Sequence, residues 1–365
     1  MKQGSSVHKV LEEQVHKEVK IDVQTREDMF GLRIWNVIQG IRTLRATGMT
    51  REMEVWGVVN GEVVNGIIDE INMVCPDEEA EEAMLQNEEA AKNSADKGKS
   101  LEAGQKTLSG FLKDSQNAQI LEEHFRSAPT SSHDEAPRTF YLSDVKTRQS
   151  KSLPPNGSPS RPVYMQLMLY RRLFASLAAN DTPADKVFER YNLDQHAIFS
   201  DTFIAEMSQL DFNFTDTSSS PDDERQALFE SNQDAVSELL AHNSLSSLWS
   251  FMIAEFARTV PIPIPPSPNV RSSVSKLVVA EYRSGGTGAL IGKKAFVHDD
   301  VVLDSYANDE IRWWRGERAT KGVDIEDASK CRICEFAEGC SWRQEKLEEA
   351  KKKSRLRNGP RKSEV

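Results

Sequence analysis

The sequence has no long apolar run. Although 38% of its 365 residues are hydrophobic, no stretch approaches the roughly 20 consecutive apolar residues that a membrane-spanning helix needs. The first 19 residues are charged and helix-patterned, without the apolar core of a signal peptide or the acid-poor composition of a transit peptide. We therefore expect a soluble intracellular protein that does not act at a membrane, with apolar side chains sufficient for one large core or two modest ones.

Cysteine is scarce. Four cysteines in a chain of this length do not make a disulfide scaffold, and three of them, Cys331, Cys334 and Cys340, fall within ten residues. Clustered thiols in an intracellular chain are typical of a metal or iron–sulfur site. Thiolates suit both zinc and iron, so the spacing alone leaves both metals open, with three unrelated buried thiols as the alternative.

Positive charge is also in deficit, since the formal net charge is −11. The deficit is uneven: residues 76–135 carry 14 acidic and 6 basic side chains, a balance of −8, whereas residues 341–365 carry 9 basic and 4 acidic ones, a balance of +5. Because the local field decides whether phosphate binds, the acidic total does not exclude a nucleic-acid partner.

Apolar periodicity divides the chain into helices and strands. Two runs rich in β-branched residues, 54–59 and 62–69, flank Asn60-Gly61, which is the strongest short signal of a β-hairpin. The other predicted elements are helices at residues 4–20, 27–45, 163–179 and 299–315, and strands at 139–147 and 277–282. These elements predict an α/β fold: a short mixed sheet flanked by helices, with polar groups at exposed strand ends.

Residues 76–135 interrupt this alternation. They are rich in Glu, Ala, Lys, Ser and Gln and poor in aromatic residues. Such a composition predicts an acidic, low-complexity insertion that is largely disordered, with transient helix at most. An insertion of this length is tolerable because the entropic cost of closing a loop grows only logarithmically with its length.

Two short motifs carry the candidate chemistry. Asp69 ends the run Gly66-Ile-Ile-Asp69, and Asp144 and Lys146 form an Asp-x-Lys motif at the end of a later strand. Two carboxylates close together can hold Mg²⁺, which polarises a phosphate and lowers the pKa of bound water. Alternation along a strand places Asp144 and Lys146 on one face, where the lysine can orient or deprotonate the attacking water. Taken alone, Asp-x-Lys is more often an ordinary exposed strand end.

Three further side chains fit such a site. Gln166 and Tyr170 lie four residues apart on the helix after the Asp-x-Lys strand, and so on one face of it. They could bind phosphate or hold the lysine, and Arg171 and Arg172 could contact a nucleic-acid backbone. His8, on the first predicted helix, is a reasonable auxiliary metal ligand. In isolation each of these residues is more often structural or solvent-exposed.

The motifs occur in the order found in RecB-like nucleases, members of the restriction-endonuclease-like superfamily. That order is Gly-x-x-x-His ending at His8, then Gly66-Ile-Ile-Asp69, Asp144-Val-Lys146 and Gln166-x-x-x-Tyr170. The run Trp314-Arg-Gly-Glu-Arg318, followed by three cysteines spaced C-x₂-C-x₅-C, narrows the resemblance to the exonuclease V family of single-strand DNA exonucleases. The resemblance covers roughly residues 4–74, 139–180 and 277–343.

The resemblance implies a RecB-type core whose termini are linked by a [4Fe–4S] cluster. It also implies Mg²⁺ or Mn²⁺ held by Asp69 and Asp144, with His8 as an auxiliary ligand, and water activated by Lys146. Gln166 and Tyr170 would place the DNA strand. Family members are similar in adding one upstream cysteine to the three at the end. Here only residues 1–3 precede the His motif, and Cys75 is the remaining cysteine. We therefore expect an N-terminally truncated chain that lacks the fourth cluster ligand.

Five parts are expected along the chain. They are residues 1–75, the N-terminal part of the nuclease core; 76–135, the insertion; 136–330, the rest of the core with helical elaboration; 331–343, the cysteine segment; and 344–365, a basic tail.

The expected function is hydrolysis of single-stranded DNA by a metal-dependent exonuclease, in DNA repair or genome maintenance. The protein would be a monomer in the mitochondrion or nucleus, with single-stranded DNA as its partner and single-strand-binding proteins as further candidates. The alternative is a non-catalytic nucleic-acid-binding repair scaffold that keeps the fold; the intact Asp69, Asp144 and Lys146 count against it. A third reading, a zinc-only structural protein, would lack the visible colour of an iron–sulfur protein.

Overall fold

The computed structural model describes residues 23–98, 138–208, 237–261 and 272–357. The elements in these ranges are, in chain order, α1 (Arg26–Thr47), β1 (Met49–Val59), β2 (Glu62–Asn72), α2 (Glu78–Gly98), β3 (Phe140–Arg148), α3 (Arg161–Ala178), α4 (Ala184–Tyr191), α5 (Asp201–Ser208), α6 (Leu245–Thr259), β4 (Val274–Ser284), β5 (Leu290–Val297), α7 (Asp300–Trp314), a 3₁₀ helix (Ile325–Arg332) and α8 (Ser341–Arg357). The predicted helix at residues 4–20 lies outside the described ranges.

The strands form one mixed sheet in the order β1-β2-β3-β4-β5. Neighbouring strands are antiparallel except for β3 and β4, which are parallel. Parallel neighbours need a long crossover, and the helices α3 to α6 lie between these two strands in the chain. The predicted α/β class, a mixed sheet flanked by helices, is confirmed.

The first hairpin follows its local signal. Asn60 and Gly61 both have positive φ angles, 50° and 87°, as the commonest two-residue hairpin turn requires. The register then stays the same from the pair Val59 and Glu62 to the pair Met49 and Asn72, although the ladder skips the position of Glu52, whose φ is 49°, and Asp69. This turn therefore fixes where Asp69 lies along the sheet.

Helix α1 begins at a capping box. The Thr25 hydroxyl accepts from the Asp28 N–H, and the Asp28 carboxylate accepts from the Thr25 N–H, so two free N–H groups of the first turn are satisfied. The helix ends at Gly48, whose φ of 81° only glycine adopts at little cost. Its apolar side chains pack with those of α3 and α6 into the main core against the sheet.

Strand β4 separates two apolar layers by alternation. Val278 and Ala280 belong to the main core, whereas Leu277 and Val279 pack against Met84 of α2. The sheet is thus covered by helices on both faces, and the active-site candidates lie on the α3 face.

The prediction of disorder for residues 76–135 is wrong for their first part. Residues 78–98 form helix α2, which begins where Asp77 accepts a hydrogen bond from the Ala80 N–H. Acidic residues in its first turn suit the helix dipole. Met84, 7% exposed, buries itself on β4, and the Tyr141 hydroxyl donates to Glu81 at 2.8 Å. The apolar contact of Met84 with β4 thus stabilises an otherwise polar helix. Residues 99–135 lie outside the described ranges.

Among the helices of the described ranges, none combines the length and apolarity needed to cross a bilayer.

Candidate active site

Asp69 lies where strands β2 and β3 stop pairing. Their ladder joins Asn72 with Tyr141, Ile71 with Leu142 and Glu70 with Ser143. The next pair along this ladder would be Asp69 and Asp144. Instead of a backbone carbonyl, the Asp69 Oδ2 atom accepts the Val145 N–H, at 2.6 Å. The two strands therefore separate at Asp69 and Asp144. This point of separation, the β2–β3 fork, brings the two predicted carboxylates together.

Asp144 is deeply buried rather than at an exposed strand end as predicted. Its side chain is 1% exposed, and β3 continues past it to Arg148. The Lys146 Nζ atom lies 2.7 Å from Asp144 Oδ2, and the lysine side chain is 30% exposed. Helix α3 covers this part of the sheet, which explains the burial that a strand-end position would not give. Lys146 thus stands between the buried carboxylate and solvent.

Gln166 and Tyr170 extend this chain of contacts along α3. Lys146 Nζ donates to Gln166 Oε1 at 3.0 Å, and Gln166 Nε2 donates to the Tyr170 hydroxyl at 2.9 Å. The predicted spacing of one helical turn therefore does place both side chains on the face toward Lys146. Since the lysine is held by Asp144 on one side and by Gln166 on the other, its ammonium group has a defined position.

The ring of Tyr170 packs closely against Gly66 of β2. A Cβ atom built on Gly66 would lie 2.3 Å from Tyr170 Cε1 and 3.0 Å from Cζ. No side chain other than hydrogen fits there without moving the ring. Gly66 therefore serves the close approach of the tyrosine, which fixes Gln166 in turn.

Tyr282 lies beside Lys146, and the sequence predicted no role for it. It is paired with Lys146 in the parallel register of β3 and β4, and it is 3% exposed. Residues paired across neighbouring strands project on the same face. Tyr282 is brought to the site by the parallel pairing of its strand with the Asp-x-Lys strand. No local sequence pattern predicts that register.

Arg171 and Arg172, which the sequence suggested could contact a nucleic-acid backbone, have partners within the protein. Arg171 donates to the carbonyls of Val274 and Ser275 on β4. Arg172 is paired with the carboxylates of Asp300 and Asp304 at the start of α7. Arg171 thus joins α3 to β4, and Arg172 joins it to α7.

The other residues predicted to bind a metal ion or a cluster are not brought together in the part of the chain that the structure describes. His8 lies outside the described residues. Cys331 lies in the 3₁₀ helix, and Cys334 and Cys340 lie between that helix and α8; all three are partly or fully exposed. Within the described ranges, no three His, Cys, Asp or Glu side chains come close enough together to hold a metal ion.

The donor chemistry at the fork nevertheless suits a hard cation. Asp69 and Asp144 provide carboxylate oxygens, which Mg²⁺ prefers, and Mg²⁺ commonly uses one or two protein carboxylates with water as the remaining ligands. The Lys146 ammonium already lies at 2.7 Å from Asp144, so a positive charge beside this carboxylate is part of the arrangement.

The fold and the site define an α/β protein that holds a carboxylate pair and a lysine at the fork between two sheet strands. The chain belongs to the exonuclease V family: the family described as "Exonuclease V - a 5' deoxyribonuclease" matches residues 1–343. A curated relative, Exonuclease V from Danio rerio, is 22% identical over 344 residues, which cover 94% of this chain and 62% of the relative. The chain therefore spans about three fifths of the length of that relative.

Proposed function

We propose that this chain is a metal-dependent exonuclease that hydrolyses single-stranded DNA. The observation that carries the proposal is the meeting of Asp69, Asp144 and Lys146 at the β2–β3 fork. Membership of the exonuclease V family supports the reaction class. Carboxylates beside a lysine are the groups that phosphodiester hydrolysis needs, since a cation must neutralise the phosphate and a water must be placed to attack it.

Asp69 and Asp144 would hold the metal ion. When bound, Mg²⁺ supplies charge neutralisation of the phosphate and a lower pKa for water. The Val145 N–H donates to Asp69 Oδ2 and so fixes the position of the carboxylate that would contribute an oxygen to the metal. Burial of Asp144 strengthens its attraction for any cation, because charges interact more strongly away from water.

Lys146 would orient the attacking water. An ammonium group has three donors; Gln166 takes one and the Asp144 carboxylate lies 2.7 Å from the nitrogen as an ion pair, which leaves a donor for the water or for a phosphate oxygen. Gln166 and Tyr170 keep that donor in place. They act as positioning residues, holding the lysine rather than the DNA.

The cysteine segment is proposed to bind an iron–sulfur cluster. None of residues 304–357 is buried, and Ile333 and Phe336 are 88% and 78% exposed. A segment without buried side chains gains order when a metal ties it down. Cys331, Cys334 and Cys340 have the spacing and exposure of ligands. Burial, together with the nearby Glu81 and against a backbone hydrogen bond at Asp77, raises the pKa of the Cys75 thiol to about 11, so Cys75 stays protonated at neutral pH and is a poor ligand.

Iron content and visible absorption test the cluster. Cys334→Ser should lose both, and should make residues 316–357 more sensitive to protease while the sheet domain stays folded. Cys75→Ser is the matched control and should keep the iron. Iron that survives Cys334→Ser, or that is lost with Cys75→Ser, would contradict this assignment.

The exonuclease proposal is tested with end-labelled linear DNA. The protein should release small products from linear single strands in Mg²⁺, should stop in excess chelator, and should leave circular single strands intact because they have no end. Duplex DNA and RNA of the same sequence are the comparison substrates. Degradation of circles would indicate an endonuclease, and equal rates on duplex would remove the single-strand preference. Binding without any hydrolysis would favour a non-catalytic role.

A further inference from the structure

The hydroxyl of Tyr282 is a buried polar group that lies beside the site. Tyr282 is 3% exposed and lies next to Lys146 across the β3–β4 pairing. Among the residues that the structure describes, its hydroxyl oxygen is buried and has no hydrogen-bond partner. Folded proteins satisfy most buried polar groups, so one left over at a candidate site calls for a functional explanation.

Charged side chains of β3 surround the phenol of Tyr282. Burial raises the pKa of Tyr282, Arg148 and Lys146 lower it and Asp144 raises it, and the net direction is upward. The phenol therefore keeps its proton and can act as a donor. The Arg148 guanidinium lies 5.9 Å from the centre of the Tyr282 ring, so a second cationic group stands at the same place on β3.

Tyr141 is a comparison for Tyr282, because its hydroxyl has only a structural role. It lies on β3, is 6% exposed, and donates to Glu81 of α2 at 2.8 Å. The two tyrosines are similarly buried in neighbouring strands of one sheet. They differ in that one hydroxyl is satisfied within the protein and the other is not.

We propose that Tyr282 is a catalytic residue whose hydroxyl donates a hydrogen bond to a non-bridging oxygen of the scissile phosphate. This inference rests on the proposed nuclease function. Asp69 and Asp144 repel a phosphate, so the site needs donors beside the carboxylates. Lys146 supplies a charged donor and Tyr282 a neutral one, already desolvated and fixed in direction by the core. A preorganised donor in a site sheltered from water contributes most where charge develops in the transition state.

Tyr282→Phe and Tyr141→Phe form a matched pair. Tyr282→Phe removes an unpartnered oxygen, so the melting temperature should hold or rise while the turnover rate on single-stranded DNA falls roughly 10- to 100-fold. Tyr141→Phe removes a satisfied hydroxyl, so the melting temperature should fall by roughly 2 °C with turnover unchanged. This crossed result separates a donor to the substrate from a structural side chain.

A single phosphorothioate at the cleaved position then identifies the acceptor. Sulfur accepts hydrogen bonds poorly, so one diastereomer should slow the unaltered protein more than it slows Tyr282→Phe. Equal slowing of both proteins by both diastereomers, unchanged turnover in Tyr282→Phe, or loss of folding in that variant would each overturn the inference while leaving the nuclease proposal intact. No hydrolysis by the unaltered protein would overturn both.

Discussion

Gly66 shows how one residue on β2 can control the position of Lys146. An added methyl group would collide with the ring of Tyr170, which accepts from Gln166, which in turn accepts from Lys146. Gly66→Ala should therefore lower turnover by on the order of 10²-fold, the usual consequence of displacing a catalytic group by about 1 Å. The measurement is the rate of single-stranded DNA hydrolysis, together with the free energy of unfolding.

Gly57 supplies the control for Gly66. A Cβ atom at Gly57 would lie 2.5 Å from Leu173 Cδ2, on the same helix but away from the hydrogen-bonded chain. Gly57→Ala should cost comparable stability, about 1–3 kcal/mol, with nearly normal turnover. Equal activity losses in the two variants would mean that Gly66 acts through general packing and not through Tyr170.

His298 gives the fold a dependence on pH. Burial and the neighbouring Arg171 lower the pKa of His298, against the opposing effect of its hydrogen bond with Asp300, and the net pKa lies below the ordinary 6.5. As pH falls below about 6.5, the unfolded imidazole takes up a proton that the folded one resists. The stability contributed by neutral His298 is thus present above this pH and is lost as pH falls through the folded pKa.

Thermal unfolding between pH 8 and pH 5 checks this effect. The melting temperature should fall toward pH 5, and His298→Asn should reduce that dependence. His196 is exposed, so His196→Asn is the control and should leave the pH profile unchanged. A profile that His298→Asn does not alter would assign the pH dependence to other groups.

At the scale of elements, α1 and α6 are joined by a buried ion-pair group. Glu255 of α6 is 1% exposed and meets Arg45 and Arg42 of α1 at 2.8 and 3.6 Å, and Arg258 of its own helix at 2.9 Å. Burial raises the pKa of Glu255, but the hydrogen bond from Arg45 and the charges of Arg42 and Arg258 lower it more. The carboxylate is therefore ionised in the fold and connects the two helices.

Replacing Glu255 should destabilise the protein. Glu255→Gln should cost about 2 kcal/mol, less than the 3–5 kcal/mol typical of a broken buried pair. The reason is that Arg42 and Arg45 are 26% and 33% exposed and can be hydrated once released. Glu238, which also pairs with Arg42, is 32% exposed, so Glu238→Gln should cost less than about 1 kcal/mol. Denaturant unfolding compares the two variants; equal losses would contradict the role assigned to burial.

The elements also show which features a sequence can predict. Asn60-Gly61 fixes a hairpin locally, and one helical turn between Gln166 and Tyr170 fixes their shared face; both predictions are confirmed. The fork at Asp69 and Asp144 depends on where β2 and β3 stop pairing, which no local pattern encodes. Helix α2 was missed for the same reason, because its order comes from the contact of Met84 with β4.

For the whole molecule, the net charge of −11 says little about the site. Lys146 lies 2.7 Å from Asp144 and Arg148 lies beside the Tyr282 ring, and a phosphate responds to this local field. In the proposed mechanism, a cation would neutralise the buried Asp144 carboxylate during hydrolysis. We therefore expect the carboxylate of Asp144 to be indispensable for the reaction but not for the fold.

The rate of Mg²⁺-dependent hydrolysis of single-stranded DNA by Asp144→Asn tests that claim most directly. Asparagine keeps the size of the side chain and an oxygen for Lys146, so the melting temperature should stay near that of the unaltered protein. The rate should fall by at least 10²-fold, because losing a metal ligand costs several kcal/mol of transition-state stabilisation. Ser143→Ala, one residue away on β3, is the control and should keep its rate. A rate above about a tenth of normal in folded Asp144→Asn would contradict the account.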